Sequence, residues 1–430
     1  MFKEEIMKPI PLRGYFILLL VILLPIEHKY DHLIRPFFYH YTTFAKPVVK
    51  GFYFYITDIL LLLLVPSLFW IKLFLQRGVK YLTLCAVMVF VSLIFATTTV
   101  TAVEWMKAVY FCLSLLLVGI ISQIPITDRW LQGLFFTLFL LGIFESAVGI
   151  GQYFSHGPMG LKLLSEPPLL AKIQVDGQER IRAYGTLPHP NVLGGFLMTT
   201  IFSTISLLTL AKKKWLYLLG LTPQLMALLL TFSRSALFAL FLGLFFLNNK
   251  KIISITICIL AVFVLTFSKE LSYRGGIFNY NSAAQDSDLT RLEGIKSAIE
   301  IVKKFPLTGV GFSNYDKAAK VYFKRPVPVM HNIYLSLAAE IGILGFIFFT
   351  LFILSTFIRG WQYRKNPLFK GLLSMYIGFL FIGGCDGYPL FFHQARPLFF
   401  LIAGILQSFS KMGQESSSVL PPRREIQVSR

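Results

Sequence analysis

Long apolar stretches recur along nearly the whole chain, and two of them, 59–69 and 236–247, contain no charged residue. None shows the alternating period of a membrane-barrel strand. A helical crossing needs about 20 apolar residues, so the pattern predicts an all-α integral membrane protein with about twelve transmembrane helices. The predicted spans are 10–26, 52–71, 80–98, 104–122, 130–153, 190–211, 215–231, 233–249, 251–267, 331–358, 368–386 and 392–410.

The polar segments between the spans divide the chain into four parts. We predict an N-terminal bundle of about nine spans at 1–267, interrupted by a long loop at 154–189. A larger loop at 268–330 precedes a three-span bundle at 331–410, and a Ser-, Pro- and Arg-rich tail at 411–430 is predicted to be disordered.

The larger loop contains a predicted amphipathic helix. Thr290 and Glu293 have the spacing of a capping box, and an apolar face follows at helical spacing. That face comprises Leu292, Ile295, Ile299 and Val302. We expect this helix to lie along the outer membrane surface.

Composition supports the bilayer assignment, since 55% of residues are hydrophobic, 14% are charged and the mean hydropathy is +0.67. The net charge of +20 comes from basic residues that lie between the apolar runs, which favours a role in membrane orientation over nucleic-acid binding. The positive-inside rule predicts that both termini are cytoplasmic and that the two long loops lie outside. The four cysteines fall inside apolar runs without metal-ligand spacing, so no disulfide framework or zinc site is indicated.

Eight ionisable residues within or beside the spans fall in the predicted outer half. Such groups are costly in a bilayer and usually mark a functional site, so we expect the site to face outward. A transporter of lipid-linked glycans, the alternative from another functional class, would need polar groups along the inner half as well. The residues are Asp58, Glu104, Lys107, Glu145, Arg234, Glu340, Asp386 and His393.

Four short segments concentrate the candidate chemistry at this outer side: 182–191, 231–235, 290–293 and 331–345. Together they carry three arginines and two histidines at predicted helix ends. Guanidinium groups bind phosphate bidentately, and a helix N-terminus adds unpaired N–H donors. These features indicate a site for a lipid-borne diphosphate.

In this order, with a long loop before the His-Asn pair, the four segments resemble the O-antigen ligase and polymerase superfamily. The resemblance implies a GT-C-like glycosyltransferase of the bacterial inner membrane that uses an undecaprenyl-diphosphate-linked glycan at the periplasmic face, without metal or cofactor. It implies that Arg234 and Arg291 hold the donor diphosphate and that His331 is the essential histidine at the acceptor. Arg182 and Asn332 complete the expected substrate-binding set.

The chemistry is consistent with these residue types. Displacing a diphosphate from an anomeric carbon requires stabilisation of the leaving charge, which arginine provides. A histidine can take the proton of the acceptor hydroxyl or orient it, and a direct displacement inverts the anomeric centre. Glu104, Glu145 and Asp386 form no Asp-x-Asp-like cluster, which favours a metal-independent reaction.

The predicted reaction is O-antigen ligation to a lipid A-core acceptor. Polymerisation onto a second lipid-linked glycan and glycan transfer to protein hydroxyls are the alternatives. Apart from donor and acceptor, only membrane lipids are expected as partners. Several residues also have structural interpretations: His331 as a helix cap, Arg234 as a membrane anchor, Arg182 as an exposed loop base and Glu340 as a buried structural carboxyl, the last being the interpretation favoured for Glu340.

Overall fold

The computed structural model of the chain describes residues 12–23, 77–124, 126–164, 166–167, 171–175, 178–247, 249–268, 282–324 and 330–408. The predicted span at 52–71 and the tail at 411–430 lie outside these ranges. Every statement about structure below refers to the described residues.

Helices make up most of the described chain. In chain order they are α1 Leu12–Leu23, α2 Arg77–Ile94, α3 Ala102–Ser122, α4 Asp128–Ser155, α5 Pro190–Leu210, α6 Lys214–Leu230, α7 Arg234–Leu247, α8 Lys250–Thr266, α9 Ser282–Lys304, α10 Tyr315–Phe323, α11 Ile333–Gln362, α12 Pro367–Cys385, α13 Tyr388–Phe391 and α14 Ala395–Ser408. The loop after α4 holds a 3₁₀ turn, Lys162–Leu164, and two antiparallel strands, β1 Lys172–Val175 and β2 Gln178–Ile181. This hairpin is an exception to the all-α expectation.

Five of the described helices are long and apolar enough to cross a membrane by length and composition: α3, α4, α5, α11 and α12. Shorter apolar helices stand at the predicted spans near 10–26, 80–98, 215–231, 233–249 and 392–410. The described chain is therefore mostly helical and consistent with the predicted membrane class, while the number of twelve crossings stays a prediction.

Local sequence explains where several helices begin. Thr101 and Glu104 form a reciprocal capping box at the start of α3, and Thr127 caps α4. Proline occupies the first turn of α5 and of α12, after the capping residues His189 and Asn366. Proline fits there because its missing N–H would have no helical partner.

Helix α5 lies at the centre of the bundle and is buried along nearly its whole length. It packs against α4, α6 and α12, while α11 packs along α2, α7 along α12 and α14 along α3. Phenylalanines such as Phe202, Phe352 and Phe399 are fully enclosed between these helices. The packed centre fixes the relative positions of the helix ends.

The two ends of the bundle are distinct. At the site end, α3, α5, α7 and α11 begin, and α4, α6 and α12 end; there the amide of Ala183 donates to the carbonyl of Leu230 over 2.9 Å. At the opposite end, α4 and α12 begin side by side, with Asn366 Nδ2 donating to Asp128 Oδ1 over 3.1 Å. All four candidate segments lie at the site end.

The helix predicted in the larger loop exists as α9, but its predicted start is wrong. It begins at Ser282, so Thr290 lies inside the helix rather than capping it. The predicted apolar face is also shifted: Leu292 and Ile299 are exposed, whereas Ala298 and Ile301 are buried against α11 and α10. The small Ala298 side chain allows close helix packing, which the pattern of larger apolar residues does not indicate.

Candidate active site

The segment 182–191 is fixed between α4 and α6 by buried hydrogen bonds. Gln152 Oε1 accepts from the amides of Tyr184 and Gly185, over 3.1 and 2.9 Å. Glu145, fully buried on α4, accepts from both the amide and the hydroxyl of Thr186. Gly185 has a φ of +63°, which a residue with a Cβ rarely adopts. The result is an immobilised turn that places Arg182 and Asn191 at the helix ends.

Arg182 is only 2% exposed, so it is not the exposed loop base that the sequence left open. Its Nε donates to the carbonyl of Thr231 over 2.8 Å, and its Nη2 donates to Asn191 Oδ1 over 2.9 Å. The guanidinium therefore joins the loop after the hairpin, the turn before α7 and the start of α5.

A chain of hydrogen bonds runs from Arg182 to Asp386. Asn191 Nδ2 donates to Asp386 Oδ2 over 2.8 Å, and the amide of Gly387 donates to Oδ1 over the same distance. Nδ1 of His331 lies 3.5 Å from Oδ1 of Asp386. Asp386, the residue after the end of α12, thus links the arginine side of the site to the histidine.

The environment of Asp386 favours its charged form. Burial alone would raise the pKa, but hydrogen bonds from His331 and Asn191 outweigh burial and hold the pKa of this carboxyl below its ordinary value. A carboxylate facing Nδ1 of a histidine fixes the tautomer with the proton on Nδ1. Nε2 of His331 is then the nitrogen that can accept a proton from a substrate.

His331 is not the helix cap. Asn332 caps α11, with its Oδ1 accepting from the amides of Tyr334 and Leu335 over 3.0 Å each. Its Nδ2 donates to the carbonyl of Gly384 over 3.0 Å. These bonds give Asn332 a positioning role between α11 and α12, and its predicted substrate contact stays a prediction. The His331 side chain is 39% exposed at the mouth of a cavity.

The other two predicted arginines lie on helices around this network. Arg234 is the first residue of α7, directly after the turn whose Thr231 carbonyl binds Arg182. Arg291 lies on α9 and interacts electrostatically with Cys385, the neighbour of Asp386. Both arginines are partly buried. The predicted arginines and His331 thus come from four different parts of the chain to one end of the bundle.

Helix α11 is broken one helical turn beyond Ala338, and the break shapes the wall of the site. Gly342 has a φ of +75° and a ψ of 174°, a conformation restricted to glycine. The carbonyls of Ala339 and Glu340 accept instead from the amides of Val310 and Gly311, over 2.9 and 3.0 Å. The turn at 309–311 thus replaces hydrogen bonds that the break removes from the helix, and this gives the segment a structural role.

A cavity of about 240 Å³ opens beside His331. It is enclosed by the ends of α3, α11 and α12, the turn before α10, and α13. Among its lining residues are Lys107, Asp316, His331, Glu340, Asp386 and Arg396, together with several aromatic side chains. Arg182, Arg234 and Arg291 do not line it, so the described site has an arginine side and a cavity side that meet at His331 and Asp386.

Asp386 is the residue that sequence reasoning missed. The sequence places it among the ionisable residues of the outer half and in no metal-binding cluster, and its position at the outer end of a predicted span is the signal that was available. The pairing with His331 depends on how α11 and α12 pack, which no local pattern contains. Among the described residues, no group of three or more His, Cys, Asp and Glu side chains is arranged to hold a metal.

Comparison with known proteins gives one family match. Residues 216–350 match the family model described as O-antigen ligase. The matched region contains Arg234, Arg291 and His331, while Arg182 and Asp386 lie outside it. No curated protein matches the chain. The resemblance to the O-antigen ligase superfamily is confirmed by this match.

Proposed function

We propose that the chain, whose residues 216–350 match the O-antigen ligase family model, is a membrane enzyme that transfers a glycan from undecaprenyl diphosphate to an acceptor hydroxyl. The observation that carries the proposal is the hydrogen-bonded chain from Arg182 through Asn191 and Asp386 to His331, at the end of the bundle where Arg234 and Arg291 also lie. It joins groups suited to a diphosphate with a group suited to a hydroxyl proton.

In the proposed reaction the acceptor oxygen bonds to the anomeric carbon while the bond from that carbon to the diphosphate oxygen breaks. Nε2 of His331 receives the hydroxyl proton, and Asp386 stabilises the resulting imidazolium. Arg234 and Arg291 stabilise the diphosphate as it takes the bonding electron pair. Attack opposite the leaving group inverts the anomeric centre. The two arginines stabilise the leaving diphosphate as a divalent metal does in other glycosyltransferases, so the proposed reaction is metal-independent.

We propose ligation to a lipid A-core acceptor as the first choice. A deletion strain distinguishes the alternatives through its lipopolysaccharide band pattern. Loss of ligation leaves unmodified core and a lipid-linked polymer, whereas loss of a polymerase leaves core bearing a single repeat unit. An unchanged pattern with altered glycoproteins would support protein O-glycosylation. Accumulation of donor on the cytoplasmic side would support the transporter.

The proposed orientation places the site end in the periplasm, the opposite end and both termini in the cytoplasm, and the protein in the inner membrane. In a variant without native cysteines, single cysteines at Ser287 and Ser313 should react with an impermeant thiol reagent in intact spheroplasts, and one at Ser416 should not. Labelling at Ser416 alone would reverse the orientation.

A further inference from the structure

Glu340 is a buried carboxyl that the described residues satisfy only in part. It is 5% exposed, and its Oε2 has no hydrogen-bond partner among the described residues. The carboxyl accepts hydrogen bonds from the backbone amides of Ser313 and Tyr315, and the charged side chains of Lys107 and Asp316 lie nearby. A buried polar atom without a partner is costly, so one that faces a cavity is expected to bond to what fills the cavity, whether water or a ligand.

The same carboxyl lines the cavity beside His331, where cationic and carboxyl side chains both occur. Lys107 and Arg396 stand with the carboxyls of Asp316, Glu340 and Asp386, so the wall has no excess of cations. Lys107 Nζ donates to Ser313 Oγ over 2.6 Å, and the Arg396 guanidinium lies 5.3 Å from the centre of the Tyr110 ring. A cavity built for a phosphate would instead carry an excess of cations.

The size and surface of the cavity indicate the ligand class. At about 30 Å³ for each water, 240 Å³ holds about eight waters, which corresponds to one sugar ring with its hydroxyls. Phe111, Phe312 and Tyr388 provide apolar walls that fit the C–H faces of such a ring. Hydroxyls both donate and accept, so they can satisfy acidic and basic side chains at once.

We propose that this cavity is the acceptor subsite, and that it takes one neutral sugar ring whose hydroxyl donates to Oε2 of Glu340. The claim that this sugar is the acceptor rests on the proposed function, whereas the claim that the cavity binds a neutral sugar ring does not. A second hydroxyl of the same ring faces Nε2 of His331 and is the nucleophile. Glu340 is then a binding residue that selects the acceptor sugar, and the arginine side of the site receives the donor.

Binding is measured independently of catalysis in a cysteine-free variant carrying Ser313→Cys, reconstituted in neutral-lipid nanodiscs. Ser313 lines the cavity, so an occupying ring should slow its reaction with a thiol reagent. The probes are octyl β-D-glucoside and octyl phosphate, each below its micelle concentration. We expect the glucoside to protect the thiol and the phosphate to leave the rate nearly unchanged. Equal protection by both probes, or by neither, would overturn the proposal.

Adding Glu340→Gln to this variant should raise the half-protecting glucoside concentration about tenfold, the change expected from weakening one hydrogen bond. Glu104→Gln is the matched control. Glu104 is also buried near the site end, but Thr101 and Lys317 already occupy its oxygens. The Glu104→Gln substitution should leave the half-protecting glucoside concentration unchanged. Equal behaviour of the two variants would remove Glu340 from the site.

Transfer assays with purified protein separate this inference from the proposed function. Glu340→Gln should raise the acceptor KM about tenfold without changing the donor KM. Transfer without glucoside protection would overturn the sugar subsite and leave the proposed function intact. If the glucoside protects the thiol but the parent protein transfers no glycan, the sugar subsite stands and the proposed function is overturned.

Discussion

The two ends of the bundle are built differently. All described residues with positive φ lie at the site end or in the first turns of α11: His156, Gly160, Gly185, Phe232, Gly309, Gly311, Ser313, Lys324 and Gly342. There, segments distant in sequence are joined by side chains such as Gln152, Glu145 and Arg182. Irregular backbone of this kind persists only where the surroundings hold it in place, and it concentrates at functional sites.

The opposite end has ordinary helix connections. Local caps from Asn249 and Asn366 start α8 and α12, and exposed lysines lie between α5 and α6. Such caps and surface charges each contribute little and tolerate change. The comparison teaches that function and structural sensitivity coincide at one end, so matched substitutions at the two ends should have very different effects.

The largest effect is expected at the break in α11. A Cβ on residue 342 would collide with the carbonyl of Leu307, and the backbone conformation there is restricted to glycine. Gly342→Ala should therefore cost about 3 kcal/mol or more. We expect little monodisperse protein by size-exclusion chromatography and a lowered Tm in what remains. A normal yield and Tm would show that the break is not needed.

A large effect on turnover is expected at the arginine side. Arg234→Lys and Arg291→Lys keep the charge but lose one of two parallel hydrogen bonds to the diphosphate. Each should lower turnover on the order of a hundredfold in assays with purified protein, and added magnesium should not restore it. Arg359→Lys, which changes an arginine bonded to the Gln407 carbonyl at the opposite end, is the control. Near-full activity of both site variants would remove the diphosphate clamp.

A smaller effect is expected from Asp386→Asn. The neutral amide of asparagine lacks the charge with which the carboxylate stabilises the imidazolium of His331. Turnover should therefore fall on the order of tenfold to a hundredfold, with the acceptor KM nearly unchanged. An unchanged rate, or a change confined to KM, would contradict the positioning role.

The same variant has a pH signature. The folded pKa of Asp386 is below its ordinary value, so the ionised carboxyl stabilises the fold above the unfolded pKa of about 3.9, and this contribution disappears as the pH falls through the folded pKa. The Tm difference between parent and Asp386→Asn should therefore be full above about pH 4 and shrink below it. A difference that grows on acidification would contradict this assignment.

The smallest effect is expected at a helical glycine in α4 near the opposite end. A Cβ at Gly133 would meet no atom within 4 Å. Gly133→Ala should raise stability by about 0.5–1 kcal/mol because alanine favours the helix. Thermal unfolding and the transfer assay should show a slightly higher Tm and unchanged turnover. A loss comparable to that of Gly342→Ala would remove the contrast between the two ends.

The sequence predicted those features that depend on local pattern. Apolar runs located the helices, and the predicted span 190–211 begins where α5 does, with His189 as the cap and Pro190 in the first turn. The predicted start of α9 failed because the capping-box spacing at Thr290 and Glu293 also occurs inside a helix. The short hairpin was missed because it lies in a loop without a long alternating pattern.

The site was only partly predictable for a different reason. Arg182, Arg234, Arg291 and His331 stand in recognisable segments, and the structure brings these segments to one end. The partner of His331 comes from the end of another helix, and the unpartnered carboxyl oxygen of Glu340 is visible only once the turn at 309–311 packs on α11. These relations arise from tertiary packing, which single-sequence patterns do not contain.

The most direct measurement is transfer by purified parent protein and its His331→Ala variant, using a synthetic polyprenyl-diphosphate glycan and a lipid A-core acceptor. His331 is partly exposed and makes no cap, so its removal should leave yield and Tm nearly unchanged. The account predicts robust transfer by the parent and less than a few per cent of it by the variant. Transfer by a well-folded variant at a rate near that of the parent would contradict the proposed role of His331 as the base.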